Sequence, residues 1–344
     1  MTPRDNSSGA ARDRENLSGG EWTMLLVDHP EFAYKCEWGK LNGSDWAYLL
    51  AKRPEFAYKC DWGKLDGWNW ANLLVRRPEF AEHCDWDKLG ARDWATLLAA
   101  RPGFAGACDW DKLAGWNWAT LLVVQPEFAD KCDWGKLEGF DWATLLAARP
   151  EFADRCDWRK IGGFCWGQLL SRRPEFSADP HFRWEMLNGF GWQLLLNRQP
   201  QFAGFCDWEK LDGDDWARLL CGRPGFSPHC DWGKLGGRDW ANLLALRPEF
   251  SPHCDWGKLG GWNWANLLAK QPQLGVNCDW RKLDRYDWKF LFFRRPEIGE
   301  YVGPAGCMEF LDACCDGGGK LLEKSFRAAF PKKKRTGRRP RRGQ

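Results

Sequence analysis

The sequence lacks any long apolar run, and this absence excludes several classes of protein. No stretch approaches the ~18 consecutive apolar residues of a membrane-spanning helix. Residues 1–20 are polar and rich in Gly, Ser, Asp and Arg, so we expect a disordered segment there and no signal peptide. No run alternates with period two for long, and proline and glycine recur often, which disfavours strands.

Cysteine is plentiful, but the 15 cysteines include no CxxC pair. Ten of them occupy the same position in ten repeats of 24–26 residues. Equivalent positions of stacked repeats should lie about 8–10 Å apart, beyond the ~7 Å between Cα atoms that a disulfide tolerates. The spacing therefore predicts free thiols that pack as small apolar groups in a reducing compartment such as the cytoplasm. These ten are Cys36, Cys60, Cys84, Cys108, Cys132, Cys156, Cys206, Cys230, Cys254 and Cys278.

Metal ligands are equally sparse. His83, His229 and His253 each precede one of these cysteines. Adjacent residues of a helix point about 100° apart, and a closed zinc site needs four ligands. We therefore predict no metal and no cofactor. The C-terminal cysteines have no histidine nearby and are interpreted as structural thiols of a helical cap: Cys307, Cys314 and Cys315.

Tryptophan is present in unusual number, and 23 of the 26 tryptophans fall in two series with a 24-residue period. Such a period is typical of solenoids and arrays, whereas propeller blades need about 40 residues. In the first series the only longer interval, of 26 residues, separates Trp166 from Trp192. The first series, the helix tryptophans, is Trp22, Trp46, Trp70, Trp94, Trp118, Trp142, Trp166, Trp192, Trp216, Trp240, Trp264 and Trp288. The second series, the turn tryptophans, lies eight residues earlier: Trp38, Trp62, Trp86, Trp110, Trp134, Trp158, Trp184, Trp208, Trp232, Trp256 and Trp280.

The first half of a repeat, PEFAYKCDW from Pro54, predicts a helix of about two turns and then a tight turn. Pro54 suits the first helical position, and Phe56 and Cys60 share a face four residues apart. Asp61 is a suitable N-cap for a 3₁₀ turn over residues 62–65.

The second half, GKLDGWNWANLLVRR, predicts an amphipathic helix. Trp70, Leu73 and Leu74 form its apolar stripe. We expect Asn69 to be its N-cap and Gly67 to occupy a turn position with positive φ. The fold class predicted is an all-α solenoid of about twelve 24-residue units, each with two short helices and a 3₁₀ turn.

The repeats divide the chain. We expect the solenoid over residues 21–298, a helical cap over 299–330 and a basic disordered tail over 331–344. The unit near 165–192 is irregular, because it contains two extra residues in SADPHF. It either bends the array or is a tolerated loop insertion.

The positions at which the repeats differ in residue type are candidates for a binding surface. The residue after the turn glycine is aromatic in seven of eleven repeats. Two interpretations stay open: a solvent-facing stripe for partner contacts, or extra core over the next turn. This aromatic column comprises Trp68, Trp116, Phe140, Phe164, Phe190, Trp262 and Tyr286.

No residue is a candidate for catalysis. The recurrent Asp and Lys residues occur once in each repeat, whereas an active site is usually a single cluster of residues. We predict that the protein is not an enzyme. Lys64 and its equivalents are expected to pack their stems over tryptophan rings or to pair with the repeat aspartates.

The C-terminal run PKKKRTGRRPRR contrasts with the mildly acidic repeats. It resembles a nuclear-localisation signal, but a polyanion contact and a merely solvated end are alternatives. Its basic residues are Lys332, Lys333, Lys334, Arg335, Arg338, Arg339, Arg341 and Arg342.

The units CDWxKLxGxDWAxLLxxRPEFA resemble tandem Trp-rich repeats of uncharacterised, mainly bacterial proteins. Their period is similar to that of leucine-rich-repeat variants, which alternate 3₁₀ and α-helices. The resemblance implies no activity, and a bacterial source would weaken the nuclear interpretation. We expect a scaffold that binds a protein or peptide. The alternative is a nucleic-acid or polyanion binder with stacking rings, which the acidic repeats disfavour.

Overall fold

The computed structural model describes residues 17–295 and Ile298. Each repeat contains a ten-residue α-helix, a 3₁₀ helix of five or six residues that begins at proline, and a three-residue 3₁₀ turn that begins at tryptophan. The described residues contain no strand. The prediction of an all-α solenoid is confirmed. The predicted cap over 299–330, the tail over 331–344 and most of the N-terminal segment lie outside the described residues.

Twelve α-helices lie in the described part of the chain. The first begins at Gly19, slightly ahead of the boundary predicted at residue 21. Their bounds are α1 Gly19–Asp28, α2 Gly43–Lys52, α3 Gly67–Arg76, α4 Ala91–Ala100, α5 Gly115–Val124, α6 Gly139–Ala148, α7 Gly163–Arg172, α8 Gly189–Arg198, α9 Gly213–Gly222, α10 Gly237–Leu246, α11 Gly261–Lys270 and α12 Arg285–Arg294.

Two 3₁₀ segments lie between successive α-helices. The longer ones are Pro30–Lys35, Pro54–Lys59, Pro78–His83, Pro102–Ala107, Pro126–Asp130, Pro150–Arg155, Pro174–Ala178, Pro200–Phe205, Pro224–His229, Pro248–His253 and Pro272–Asn277. The short turns are Trp38–Lys40, Trp62–Lys64, Trp86–Lys88, Trp110–Lys112, Trp134–Lys136, Trp158–Lys160, Trp184–Met186, Trp208–Lys210, Trp232–Lys234, Trp256–Lys258 and Trp280–Lys282.

The chain forms two compact units that divide between Cys165 and Trp166, within α7. In each unit, consecutive α-helices pack against each other, and the 3₁₀ helix that begins at proline packs on the α-helix before it. No helix among the described residues has the length and apolar character needed to cross a membrane. The expected bend near 165–192 stays a prediction.

The N-terminal caps of the α-helices correct one prediction. Asn69 is not the N-cap of α3. Asp66 is the N-cap, and its carboxylate accepts the Asn69 N–H at 2.8 Å. In α2 the cap is complete: Asp45 Oδ2 accepts the Asn42 N–H at 2.9 Å, and Asn42 Oδ1 accepts the Asp45 N–H at 3.0 Å. The predicted residue therefore lies at the third helical position of α3, the position from which Asp45 completes the capping box of α2. The Asp61 cap of the 3₁₀ turn is confirmed.

The repeat glycine has a different role from the one predicted. Gly67 is the first residue of α3, and its φ is not positive. A Cβ added to it would overlap the carbonyl oxygen of Lys88 and the carboxylate of Asp93, both in the next repeat. Close backbone approach between repeats thus explains this glycine.

The helix tryptophans form the core. Eleven of them are fully buried. Within each compact unit, the turn tryptophans stack on the helix tryptophan of their own repeat, as Trp62 does on Trp70 with ring centroids 5.4 Å apart. The phenylalanine of the next repeat tilts against the same turn tryptophan; Phe80 lies 5.4 Å from Trp62. Among the described residues, the buried Trp70 Nε1 has no hydrogen-bond acceptor. The rings therefore act through packing and stacking.

The irregular unit keeps the core filled. Phe182 replaces the repeat cysteine and is buried, with its ring 5.0 Å from Trp166 and 4.9 Å from Trp184. Gly167 replaces the repeat alanine, and a Cβ there would overlap the backbone of Gly191. Gly167 and Gly191 therefore allow one close contact between α7 and α8.

Candidate binding surface

The aromatic column lies at the second position of the α-helices, and most of it faces solvent. Trp68, Trp116, Phe140 and Trp262 are between 49% and 58% exposed, and Tyr286 is 79% exposed. This exposure favours a solvent-facing stripe over extra core, and its use for partner contacts stays a prediction.

The remaining two members of the column are half-buried. Phe164 lies parallel to Phe140 in the first unit, with ring centroids 6.4 Å apart. In the second unit, the Arg218 guanidinium lies 5.5 Å from the centre of the Phe190 ring. These contacts restrict the orientation of the Phe164 and Phe190 rings, which stay partly exposed.

A depression of about 180 Å³ lies beside Trp68, between α2 and α3. Trp68, Tyr48 and Arg76 are among its lining residues. At its floor the buried Asn69 donates to the Ser44 hydroxyl at 3.3 Å. Aromatic walls over a polar floor form a place where one side chain of a partner can be inserted.

The repeat lysines connect neighbouring repeats through backbone carbonyls. Lys64 Nζ donates to the Gly39 and Leu41 oxygens at 2.7 and 2.8 Å, and Lys210 does the same to Glu185 and Leu187 at 2.7 and 3.0 Å. The ammonium groups are therefore not held by the repeat aspartates, as one prediction had it. In the first repeat Lys40 instead pairs with Glu37 at 2.7 Å.

A second set of polar contacts starts from the residue before the repeat proline. Arg53 Nε donates to the Val27 oxygen at 2.9 Å, and where glutamine replaces arginine the bond persists, as Gln125 donates to Ala99 at 3.0 Å. These acceptors are carbonyls in the last turn of the α-helix that belongs to the repeat before. Most of the recurrent charged residues thus serve the connections between repeats.

The three histidines considered as ligands stack on tryptophan instead. His83 lies on Trp62 with centroids 4.5 Å apart, and His253 lies on Trp232 at 4.4 Å, both nearly parallel. Among the described residues, no group of three His, Cys, Asp or Glu side chains is arranged to hold a metal ion. The sequence signal for this role is the position of each histidine 21 residues after a turn tryptophan.

The described cysteines are free thiols and are half-buried. Burial raises the pKa of the Cys60 thiol from 9.0 to about 12, and the neighbouring Asp61 charge adds to the effect. The same two causes raise the Cys132 pKa to about 12 beside Asp133. A thiol with so high a pKa is a poor nucleophile and a poor metal ligand at neutral pH.

Comparisons with family profiles of known proteins, with curated proteins and with solved structures each found no match. The tandem 24-residue units with an α-helix and 3₁₀ segments thus define the class of this protein: a repeat solenoid rich in stacked tryptophan.

Proposed function

We propose that the protein is a non-enzymatic scaffold that binds a protein or peptide through the aromatic column of its α-helices. The observation that carries the proposal is the exposure of Trp68, Trp116 and Trp262, the only tryptophans outside the two periodic series. Large exposed rings are costly in solvent and are enriched at the centres of interfaces.

The geometry beside Trp68 supports the same proposal. The depression between α2 and α3 offers an aromatic wall and hydrogen-bonding groups on one surface. Interfaces of proteins combine such anchors with a polar rim. The recurrent lysines and arginines are engaged with the backbone of neighbouring repeats, as Lys64 and Arg53 show. The fold therefore does not determine the residue types at the variable positions, and these positions can be adapted to a partner.

The test compares variants of the full chain. Trp68→Ala, Trp116→Ala and Trp262→Ala are combined, and proteins retained from a lysate of the source cells are quantified by mass spectrometry. Tyr34→Ala with Tyr58→Ala is the matched control, since both tyrosines are more than 70% exposed but lie outside the column. We expect partners to be lost with the tryptophan variants and kept with the control. Equal retention of every protein by wild type and both variants rejects the proposal.

We further propose, in agreement with its free thiols, that the protein works in a reducing compartment. Its repeats resemble those of uncharacterised Trp-rich, mainly bacterial proteins, and we propose a relationship to them. The basic run at 331–342 is a second contact or a targeting signal in this proposal. If base-selective binding of DNA or RNA survives deletion of residues 331–344, the polyanion-binding alternative replaces the scaffold.

A further inference from the structure

The turn tryptophans of several repeats are covered on their outer face by a ring from the next repeat. The covering residue always stands immediately before the repeat cysteine or its equivalent, and we call this place the stacking position. The pairs are Trp62 with His83 at 4.5 Å, Trp184 with Phe205 at 4.7 Å, Trp208 with His229 at 4.5 Å and Trp232 with His253 at 4.4 Å, with interplanar angles of 4–16°.

At Trp86 the stacking position holds Ala107, which has no ring. Trp86 keeps its other two contacts, with Trp94 at 5.4 Å and Phe104 at 5.6 Å. No described residue stacks on its remaining face. The space beside it is also open, because a Cβ added to Gly106 would meet no atom within 4 Å.

The turn of Trp86 and the equivalent turn of the next repeat carry four aspartates, which we call the acidic rim. Asp85, Asp87, Asp109 and Asp111 are all exposed. The nearby ammonium of Lys112 is engaged with the backbone, because it donates to the Asp87 and Leu89 oxygens at 3.1 and 3.2 Å.

Lys88 is held in the same way by Gly63 and Leu65, at 2.8 and 3.0 Å. The lysines of this region therefore do not reach out to neutralise the four carboxylates. A positive group brought to this rim gains favourable electrostatic contacts.

We propose that the outer face of Trp86 is a docking site for an aromatic side chain of a partner peptide that carries Lys or Arg beside that aromatic residue. The protein itself shows what the position accepts, since imidazole and phenyl rings fill it in other repeats. The acidic rim selects basic neighbours of the ring. This site is built from 3₁₀ segments, so it is separate from the aromatic column of the α-helices and does not depend on the function proposed for that column.

The test follows the indole N–H signals of the full chain by nuclear magnetic resonance after ¹⁵N labelling of tryptophan. The Trp86 signal is identified by its loss in Trp86→Phe. The probe is the peptide acetyl-Lys-Gly-Phe-Gly-Lys-amide. We expect a saturable shift of the Trp86 signal, and a loss of affinity of about fivefold or more when Ala replaces the Phe of the probe.

Two variants of the chain make the proposal specific. Ala107→Phe reproduces the ring of Phe205, so it should fill the site, abolish the Trp86 shift and leave the fold intact. His83→Ala uncovers Trp62 and should create a second site with its own indole shift. Gly106→Ala is the matched control, because it adds a methyl group next to the site without filling it, and binding should be unchanged.

Three results would overturn the proposal. One is a Trp86 signal that stays fixed throughout the titration. Another is an affinity that Ala107→Phe leaves as in wild type while the melting temperature shows a folded chain. The third is equal binding of acetyl-Glu-Gly-Phe-Gly-Glu-amide, which would remove the role of the acidic rim. Alanine variants of Trp68, Trp116 and Trp262 should bind the probe normally, so failure of this site and failure of the aromatic column are distinguishable.

Discussion

Lys64 Nζ lies 2.8 Å from the carbonyl oxygen of Leu41, one repeat earlier in the chain. Trp62, which begins the same 3₁₀ turn as Lys64, stacks on Trp70 in its own repeat and meets Phe80 from the next. Within each compact unit, neighbouring repeats are therefore connected by polar side-chain contacts to the backbone and by contacts between aromatic rings. Such nearest-neighbour contacts are what stabilise a solenoid, because a single repeat cannot bury enough apolar surface alone.

Replacing the repeat lysine should weaken the connection between two repeats. Lys64→Met removes both bonds to the preceding repeat and leaves the Leu41 carbonyl without its charged donor. We expect a loss of about 1–2 kcal/mol in the free energy of unfolding, measured by urea titration with circular dichroism. Lys52→Met, at the exposed end of α2, is the control and should change little. A Lys64 variant as stable as the control would show that these bonds contribute nothing.

Gly67→Ala should destabilise the protein, although alanine normally favours a helix over glycine by up to about 1 kcal/mol. The added methyl group meets the Lys88 carbonyl and the Asp93 carboxylate of the next repeat, and overpacking of this kind costs about 1–3 kcal/mol. Gly20→Ala in α1 is the matched control, because its Cβ lies at an ordinary 3.7 Å from Asp45 Oδ1. Thermal melts should move in opposite directions for the two variants, and a stabilising Gly67→Ala contradicts the close approach.

Asp215→Asn should stabilise the protein at neutral pH. Burial, together with the nearby Asp212 and Asp214 carboxylates, raises the pKa of Asp215 to about 6. The folded state thus favours the protonated acid, so the stabilisation present at low pH is lost as the pH rises through about 6.

Asparagine keeps the cap without the charge, as Asn117 does in α5. We expect a gain of about 1–2 kcal/mol at pH 7.5 that disappears near pH 4. The prediction is tested by melting temperatures measured between pH 4 and pH 7.5, with Asp45→Asn in α2 as the control. A gain that is the same at both pH values would contradict the role assigned to burial.

The repeat thiols should resist alkylation while the protein is folded. Burial raises the pKa of Cys60, Cys84 and Cys108 to about 12, so very little thiolate exists at pH 8. Iodoacetamide should modify these residues about 100-fold more slowly in the native protein than in urea. Peptide mapping by mass spectrometry gives the rate at each cysteine. Equal rates in both states would show that these thiols are not protected by the fold.

The period of tryptophan was enough to predict the class of fold, because a 24-residue unit with an apolar i, i+3, i+4 stripe has few other ways to bury its rings. The cap was misplaced by one turn, since Asp66 and Asn69 belong to residue types that both positions of a capping box favour. The role of Gly67 was missed because the clash involves a carbonyl of the next repeat, which no local pattern contains.

The candidate surface could be predicted only in part. The variability of the position of Trp68 showed that the core does not determine it, but exposure depends on how α2 and α3 pack. The acceptors of Lys64 and the stacking of His83 on Trp62 also escaped prediction. Both depend on the orientation of 3₁₀ segments from neighbouring repeats, which spacing in the sequence does not fix.

The buried helix tryptophans stabilise the fold, and we propose that the exposed Trp68, Trp116 and Trp262 bind a partner. The most direct measurement combines a thermal melt with quantitative partner capture for the chain in which these three residues are changed to alanine. We expect this triple variant to melt within a few degrees of wild type and to lose the captured partners. A large drop in melting temperature, or unchanged capture by a folded variant, would contradict it.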